Sequence, residues 1–343
     1  MSLFDISWEV VPLKLKEVFT ISRGSKSEVK NVFLKIQKDG FTGYGEAGPN
    51  TRYDETSDKV VGFFESIPAD FFDDITDVTD IQPKLEKWDQ SPIYSARAAI
   101  EMAWLDWWGK SRGQSLWKLW GYRSPVGPVT SYTIGIDSIE KMQKKITAAS
   151  RYPVYKIKLG TDKDREIIEG IREVTDKPLR VDANEGWKNL EQAKREIQFL
   201  ASHNVELVEQ PMPATELKLM RTLKEWSPLP LVADESYTGT ENLGNIANAF
   251  DVINIKLMKI GSLQKARRVI TEAKGFGLDV MIGCMIESSL ANAAGALLGL
   301  NARYIDLDGH LLISNDICSG LTVDEEARVI LSEDPGFGIV CEC

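Results

Sequence analysis

Side chains able to move protons and hold a cation recur through the second half of this sequence. Lys156-Ile157-Lys158 sets two ammonium groups at i and i+2 in an apolar run with Val154 and Leu159. In a strand, residues so spaced share one face. A strand that needs only stability rarely carries two like charges side by side there. Further on, apolar runs again finish on charge: Leu179-Arg180-Val181-Asp182, Val205-Glu206-Leu207-Val208-Glu209, Leu231-Val232-Ala233-Asp234 and Val252-Ile253-Asn254-Ile255-Lys256. Three carboxylates gathered in one place cannot all stay ionised without a cation. All-oxygen ligands suit a hard ion, so Mg2+ is expected on Asp182, Glu209 and Asp234, with Mn2+ as a substitute. Zinc is disfavoured because no His or Cys belongs to the set. Lys158 precedes the acids and Lys256 follows them. Two bases on opposite faces of one carbon permit 1,1-proton transfer: one removes an α-proton and the other returns it to the opposite face. A cation on the substrate carboxylate would stabilise the enediolate between these steps. Each lysine must be partly neutral to act as a base. Lys156 beside Lys158, and the nearby ion, are expected to lower the lysine pKa values.

The elements that must position these groups follow from their period. Strand-like runs end at Thr133, Lys158, Asp182, Glu209, Asp234, Lys256, Cys284 and Asp306, separated by 22 to 28 residues. Amphipathic helical stretches fill the gaps. Strands alternating with helices imply a parallel sheet, and eight regular units imply a closed (β/α)8 barrel whose strand C-termini share one rim. The doubly wound open sheet is the alternative. Before the barrel, residues 3–15, 29–37 and 42–46 alternate as β, with a hairpin turn at Lys38-Asp39-Gly40. Residues 19–27, rich in Ser and Gly, read as a mobile loop between the first two strands. Residues 54–121 read as helical. The helix expected over 95–109 carries Ala96, Ala99, Ile100, Ala103, Trp104 and Trp107 on one broad face. Trp104, Trp107, Trp108, Trp117 and Trp120 suggest a buried junction. Ser124-Pro125-Val126-Gly127-Pro128 reads as a linker. The division expected is an α+β capping domain over 1–125, an α/β barrel of (β/α)8 type over 126–326, and a segment 327–343 that returns to the cap.

Composition narrows the partners. Of 343 residues, 43% are apolar and 27% charged, the ordinary make-up of a globular chain. A formal net charge of -10 argues against nucleic acid and anionic membranes, which attract basic surfaces. No signal peptide and no membrane-length apolar run is visible, so a cytoplasmic location is expected. The four cysteines, Cys284, Cys318, Cys341 and Cys343, are read as reduced thiols. The terminal Cys-Glu-Cys is a weak metal motif, lacking a second pair. His203 and His310 are the only histidines. The first is expected on the far rim as a structural group, and the second near the site.

At this point the residues resemble a family. Lys156-Ile157-Lys158, Val181-Asp182-Ala183-Asn184, Val208-Glu209-Gln210-Pro211, Ala233-Asp234-Glu235-Ser236 and Ile255-Lys256 resemble the muconate-lactonising subgroup of the enolase superfamily. So does Ala103-Trp104-Leu105-Asp106 leading to Leu116-Trp117-Lys118-Leu119-Trp120-Gly121. That superfamily pairs a Lys or His base with Mg2+. No His accompanies Lys256, which argues against the mandelate-racemase branch. Ile305-Asp306-Leu307-Asp308 looks like the dipeptide epimerases, where two acids hold the substrate ammonium; i and i+2 spacing on one strand face agrees. The resemblance also carries Lys156, Thr133 and Cys284 toward the substrate. It carries Arg23, with Lys26 close by, toward a side-chain carboxylate, as in Ala-Glu epimerases. Glu235 and Glu287 would orient a lysine or a metal ligand. The implied activity is Mg2+-dependent epimerisation of the C-terminal residue of an Ala-Xaa dipeptide, in a homo-oligomer. The alternatives on the same scaffold are o-succinylbenzoate synthase, N-acylamino acid racemase or muconate cycloisomerase. The substrates of the first and last carry no ammonium for Asp306 and Asp308.

Overall fold

The computed structural model describes residues 4–89 and 91–342. The chain begins as an antiparallel three-stranded sheet of β1 (Asp5–Ile21), β2 (Gly24–Lys38) and β3 (Phe41–Ala47). The Ser- and Gly-rich stretch is not a loop but the outer end of the β1–β2 hairpin, with Phe19 opposite Lys26, Thr20 opposite Ser25 and Ile21 opposite Gly24. Alternation resumes there after a register shift between Lys14 and Phe19, and cross-strand pairing overrides the turn-like composition.

Helices α1 (Ser57–Glu65), α2 (Ile81–Trp88), α3 (Tyr94–Ser111) and α4 (Leu116–Leu119) pack behind that sheet. Contact between β3 and α3 depends on two glycines. A Cβ on Gly45 would lie 1.9 Å from Ala99 O, and one on Gly43 2.1 Å from Ala103 O. The single apolar face expected for α3 is corrected: residues 98–106 are all buried, while Trp107 is only half-buried. The sheet covers one side of α3 and the barrel helices another, so both sides must be apolar or internally satisfied. Glu101, for example, points from α3 at the start of a barrel helix and accepts from Leu263 N and Gln264 N at 3.0 and 2.9 Å.

After β4 (Val126–Val129) comes the barrel: β5 (Tyr132–Ile134), β6 (Tyr155–Lys158), β7 (Leu179–Asp182), β8 (Val205–Glu209), β9 (Leu231–Ala233), β10 (Val252–Lys256), β11 (Asp279–Gly283) and β12 (Tyr304–Asp306). These strands pair in sequence order as one parallel sheet. The ring closes through a bridge between Thr130 and Ile305, helped by Leu307 N donating to Thr130 Oγ1 at 2.9 Å. Intervening helices are α5 (Ile139–Ala148), α6 (Asp164–Arg172), α7 (Leu190–Ala201), α8 (Leu217–Trp226), α9 (Leu243–Ala247), α10 (Leu257–Ile260), α11 (Leu263–Gly275) and α12 (Ser289–Gly299), with α13 (Gly309–Leu312) after β12. Asn189, Asn242, Ser262 and Ser288 cap α7, α9, α11 and α12 with their side chains.

The last part forms β13 (Cys318–Ser319), β14 (Thr322–Val323), β15 (Arg328–Ile330) and β16 (Val340–Cys341). β15 pairs with β4, and Phe337 N donates to Asp106 Oδ1 of α3 at 3.0 Å. The expectation of reduced thiols is corrected for one pair. Antiparallel pairing of β13 with β16 sets Cys318 opposite Cys341, and the two form a disulfide. Cys341 is thereby removed as a ligand, and Cys343 lies outside the described residues. Among the described residues no helix is long and apolar enough to cross a membrane.

Candidate active site

Register puts the charged strand ends at one level. Lys158 pairs with Asp182, and Asp182 with Glu209; on the far side Lys256 pairs with Gly283, and Gly283 with Asp306. Asp234 follows β9 directly. Side chains two residues apart point the same way, so Lys156 enters the barrel one layer below Lys158. β6 and β10 are four strands apart in a ring of eight, which sets Lys158 and Lys256 across the mouth from one another.

Asp182, Glu209 and Asp234 each offer an oxygen within 4.8 Å of the others, and all three are buried. Each carboxylate has one oxygen held by the framework. Asn184 N donates to Asp182 Oδ1 at 2.9 Å, Asn254 Nδ2 to Glu209 Oε1 at 2.9 Å, and Lys259 Nζ to Asp234 Oδ1 at 2.7 Å. The other oxygens turn to the centre and meet ammonium groups: Lys158 on Asp182 Oδ2 at 2.7 Å, Lys156 near Glu209 Oε2 at 2.7 Å, and Lys256 on Asp234 Oδ2 at 2.8 Å. Lys156 also reaches Asp306 Oδ2 at 2.7 Å. Glu209 Oε2 sits off the line of a hydrogen bond and stays a buried acceptor without one. An all-oxygen set with an open buried acceptor fits a hard divalent cation.

Among the side chains alone, the carboxylates outweigh lysine–lysine repulsion at Lys156 and Lys256. Burial is the largest influence on Lys156 and pushes it down, but Asp306, Glu209 and Asp182 outweigh it and hold the ammonium above its usual range. Lys256 is likewise depressed by burial, then raised by Asp234 beyond the opposing push of Lys156. Burial lifts Glu209 to about 7, with Asp182 adding to it. Asp234 is driven up by burial but ends well below the carboxylate range through Lys256 and Lys259.

A cavity of about 450 Å³ opens above these groups, a size suited to a small ligand. Thr133, Lys156, Lys158, Asp234, Glu235, Lys256, Cys284, Asp306 and Asp308 line its floor, and the hairpin tip with residues 48–53 lines its roof. Asp306 is already engaged on both oxygens, by Lys156 and by Ser131 Oγ at 2.5 Å. Asp308 Oδ2 accepts from Thr133 N at 2.5 Å. Burial, then Asp306, pushes the Asp308 carboxyl up to about 7. Cys284 Sγ donates to Asp306 O at 3.3 Å.

Arg23 lines the cavity, but its guanidinium is occupied. It pairs with Glu235 Oε1 at 2.7 Å and Glu185 Oε2 at 3.2 Å, and donates to Asn184 O at 2.9 Å. Glu235 thus meets Arg23 and, through Asn184 Nδ2 at 3.4 Å, the loop after β7. Glu287 is buried and accepts from Met285 N at 2.9 Å, within its own loop. His203 accepts from Arg172 through its carbonyl, away from the cavity. His310 is outside the cavity lining, its Nδ1 buried without a partner. Asn254, Lys259, Ser131, Arg52 and Tyr53 join the site without having been expected there. Asn254 carried a readable signal, since it shares a strand face with Lys256. Lys259, three residues past Lys256 at the end of a short helix, carries no such signal.

Two family descriptions match the chain: the mandelate racemase / muconate lactonizing enzyme N-terminal domain over residues 6–121, and the enolase C-terminal domain-like description over 139–342. The chain is 37% identical to an L-Ala-D/L-Glu epimerase of Bacteroides thetaiotaomicron, over 96% of this chain and 85% of that one. It is 37% identical to an L-Ala-D/L-amino acid epimerase of Flavobacterium johnsoniae, over 95% and 96%. A dipeptide epimerase of Enterococcus faecalis, solved with Mg and the dipeptide L-Leu-L-Tyr, superposes with a TM-score of 0.90 at 30% identity, covering 99% of both chains. With both domains matched and the strand-end charges assembled on one rim, the chain belongs to the mandelate racemase / muconate lactonizing enzyme family of the enolase superfamily.

Proposed function

We propose that this protein is a Mg2+-dependent dipeptide epimerase, inverting the α-carbon of the C-terminal residue of an Ala-Xaa dipeptide. One observation carries the reading: two lysines face each other across a buried carboxylate triad, and a second acidic pair opens into the same cavity. Asp182, Glu209 and Asp234 would hold the ion. When bound, a hard divalent cation there would supply positive charge beside the substrate carboxylate and take over carboxylate oxygens that now pair with Lys158 and Lys256. The chain's own groups do the rest. Asp308, with Asp306 beside it, receives the substrate ammonium. Lys156, on the cavity floor, is placed to meet the substrate carboxylate. Whichever of Lys158 and Lys256 faces the α-hydrogen takes it, leaving an enediolate, and the other returns a proton to the opposite face. Residues 1–125 would serve as the cap over the 126–326 barrel, with the hairpin tip and residues 48–53 closing the cavity and 327–343 returning to the cap. Similarity to epimerases named for Ala-Glu and for Ala-amino acid pairs supports the substrate class.

The test is an L-Ala-L-Xaa library incubated with protein and Mg2+ in D2O, read by mass and by chiral separation. Gain of one deuterium per inverted dipeptide is the expected result; no incorporation into any dipeptide overturns the assignment.

A further inference from the structure

Lys259 is a buried lysine that the proton transfer does not use. It leaves α10 three residues after Lys256 and is 2% exposed. Its Nζ contacts four oxygens: Asp234 O at 2.5 Å, Asp234 Oδ1 at 2.7 Å, Tyr237 O at 2.9 Å and Asn254 O at 3.1 Å. No other side chain meets the Asp234 backbone and carboxylate together among the described contacts.

The location of these oxygens matters. β9 and β10 are joined by only two register pairs, Val232 with Val252 and Ala233 with Ile253. The next pair in that register would be Asp234 with Asn254. Their two carbonyls both accept from Lys259 Nζ instead. Of the two flanking seams, β8–β9 also has two register pairs, but its Glu209 reaches the rim opposite Val232, and β10–β11 reaches the rim at Lys256–Gly283; further round, β6–β7 reaches it at Lys158–Asp182. Lys259 therefore stands in for the missing end of one ladder. Asp234 lies on one side of that seam and Lys256 on the other, 2.8 Å apart through Asp234 Oδ2. A flexible surface lysine could not do this, because ordering it would cost side-chain entropy for screened contacts. A buried ammonium with several short acceptors is fixed.

We propose that Lys259 is a positioning residue: it ties off the β9–β10 seam, sets the placement of Lys256 against Asp234, and so acts on the Lys256 half of the proton transfer while leaving the Lys158 half intact. This rests on the two-lysine reading above. Misplacement of a reacting group by about 1 Å can cost up to a hundredfold in rate, whereas the β6–β7 seam has its own ladder.

The test uses full-length protein with Mg2+ and the Lys259→Met variant, with Lys259→Gln beside it because Gln keeps a donor and is less apt to prevent folding. The first readout is α-hydrogen exchange with D2O for each epimer of one dipeptide separately. Lys256→Ala identifies which epimer depends on Lys256. The expected result is a loss of about tenfold to a hundredfold for that epimer in Lys259→Met, a smaller loss in Lys259→Gln, and a change within about threefold for the other epimer. Equal slowing of both epimers, or none, overturns the proposal, because a merely structural lysine would slow both alike. The second readout needs no activity. Backbone hydrogen exchange without Mg2+ should quicken in peptides covering 232–237 and 252–256, and stay unchanged over 156–160 and 180–184. Uniform quickening, or none, overturns it equally. If the unmodified protein exchanges no dipeptide α-hydrogen, the epimerase reading fails while the hydrogen-exchange arm still decides the role of Lys259.

Discussion

Helix α3 and the barrel mouth are both buried, and they are built from opposite materials. Around α3 the buried groups are Ala96, Ala99, Ile100, Ala103, Trp104 and their neighbours, with polar atoms limited to groups such as Glu101 and Asp106. In the mouth the buried groups are Lys156, Lys158, Lys256, Lys259, Asp182, Glu209, Asp234, Asp306 and Asp308. Burying apolar area stabilises at roughly 25 cal/mol per Å². Burying charge costs desolvation that ion pairing only partly offsets. The first region therefore holds the molecule together, and the second is a cost carried for chemistry. Losses in the mouth should register mainly as activity, and losses around α3 mainly as stability.

The strongest challenge to that contrast is the base pair. Lys158→Ala and Lys256→Ala should each lower epimerisation by about 10³- to 10⁴-fold. Retention of either activity in a coupled chiral assay would break the comparison. On the apolar side, Trp104, fully buried and stacked on Trp108 with ring centroids 5.9 Å apart, should cost about 3–5 kcal/mol on truncation to Ala, read by urea unfolding. Reducing the disulfide, whose cysteines are 23 residues apart, should cost about 3 kcal/mol, seen as a lower melting temperature in dithiothreitol with little change in kcat.

Smaller effects sharpen the picture within the mouth. Asp308→Asn removes a charged partner of the substrate ammonium, so KM should rise about tenfold to a hundredfold with a lesser change in kcat. The sign of its pH dependence follows from its environment. Burial first, then Asp306, raises the Asp308 carboxyl to about 7, and only the ionised form attracts an ammonium. Dipeptide KM should therefore rise as pH falls from 8 toward 6, and that rise should vanish in Asp308→Asn. The smallest effect is expected at Arg23. Its guanidinium is committed to Glu235 and Glu185, so Arg23→Ala should slow Ala-Glu and Ala-Val by a similar factor, about threefold. A loss confined to Ala-Glu would show instead that Arg23 leaves Glu235 to meet the substrate side chain.

Much of this is legible in the sequence. The period of the strand ends, and the i and i+2 spacing of Lys156 with Lys158 and Asp306 with Asp308, depend only on strand pleat and βα length. The outer hairpin was misread because residues 19–27 have loop composition, while pairing with the partner strand decides their conformation. α3 was misread because periodicity reports burial on one side, and this helix is covered on more than one. The thiols were misread because Cys318 and Cys341 meet only through the pairing of β13 with β16.

The sequence by itself determined which residue types stand at the strand ends and which face they share, since backbone geometry repeats locally. Only the tertiary structure decided who meets whom. Lys156 meets Asp306 across 150 positions, Arg23 meets Glu185 across 162 positions and Glu235 beyond it, and Lys259 closes a seam whose other side lies 25 positions upstream. Such contacts are set by ring closure and register, and the energy of a buried charge depends on those neighbours rather than on its place in the chain.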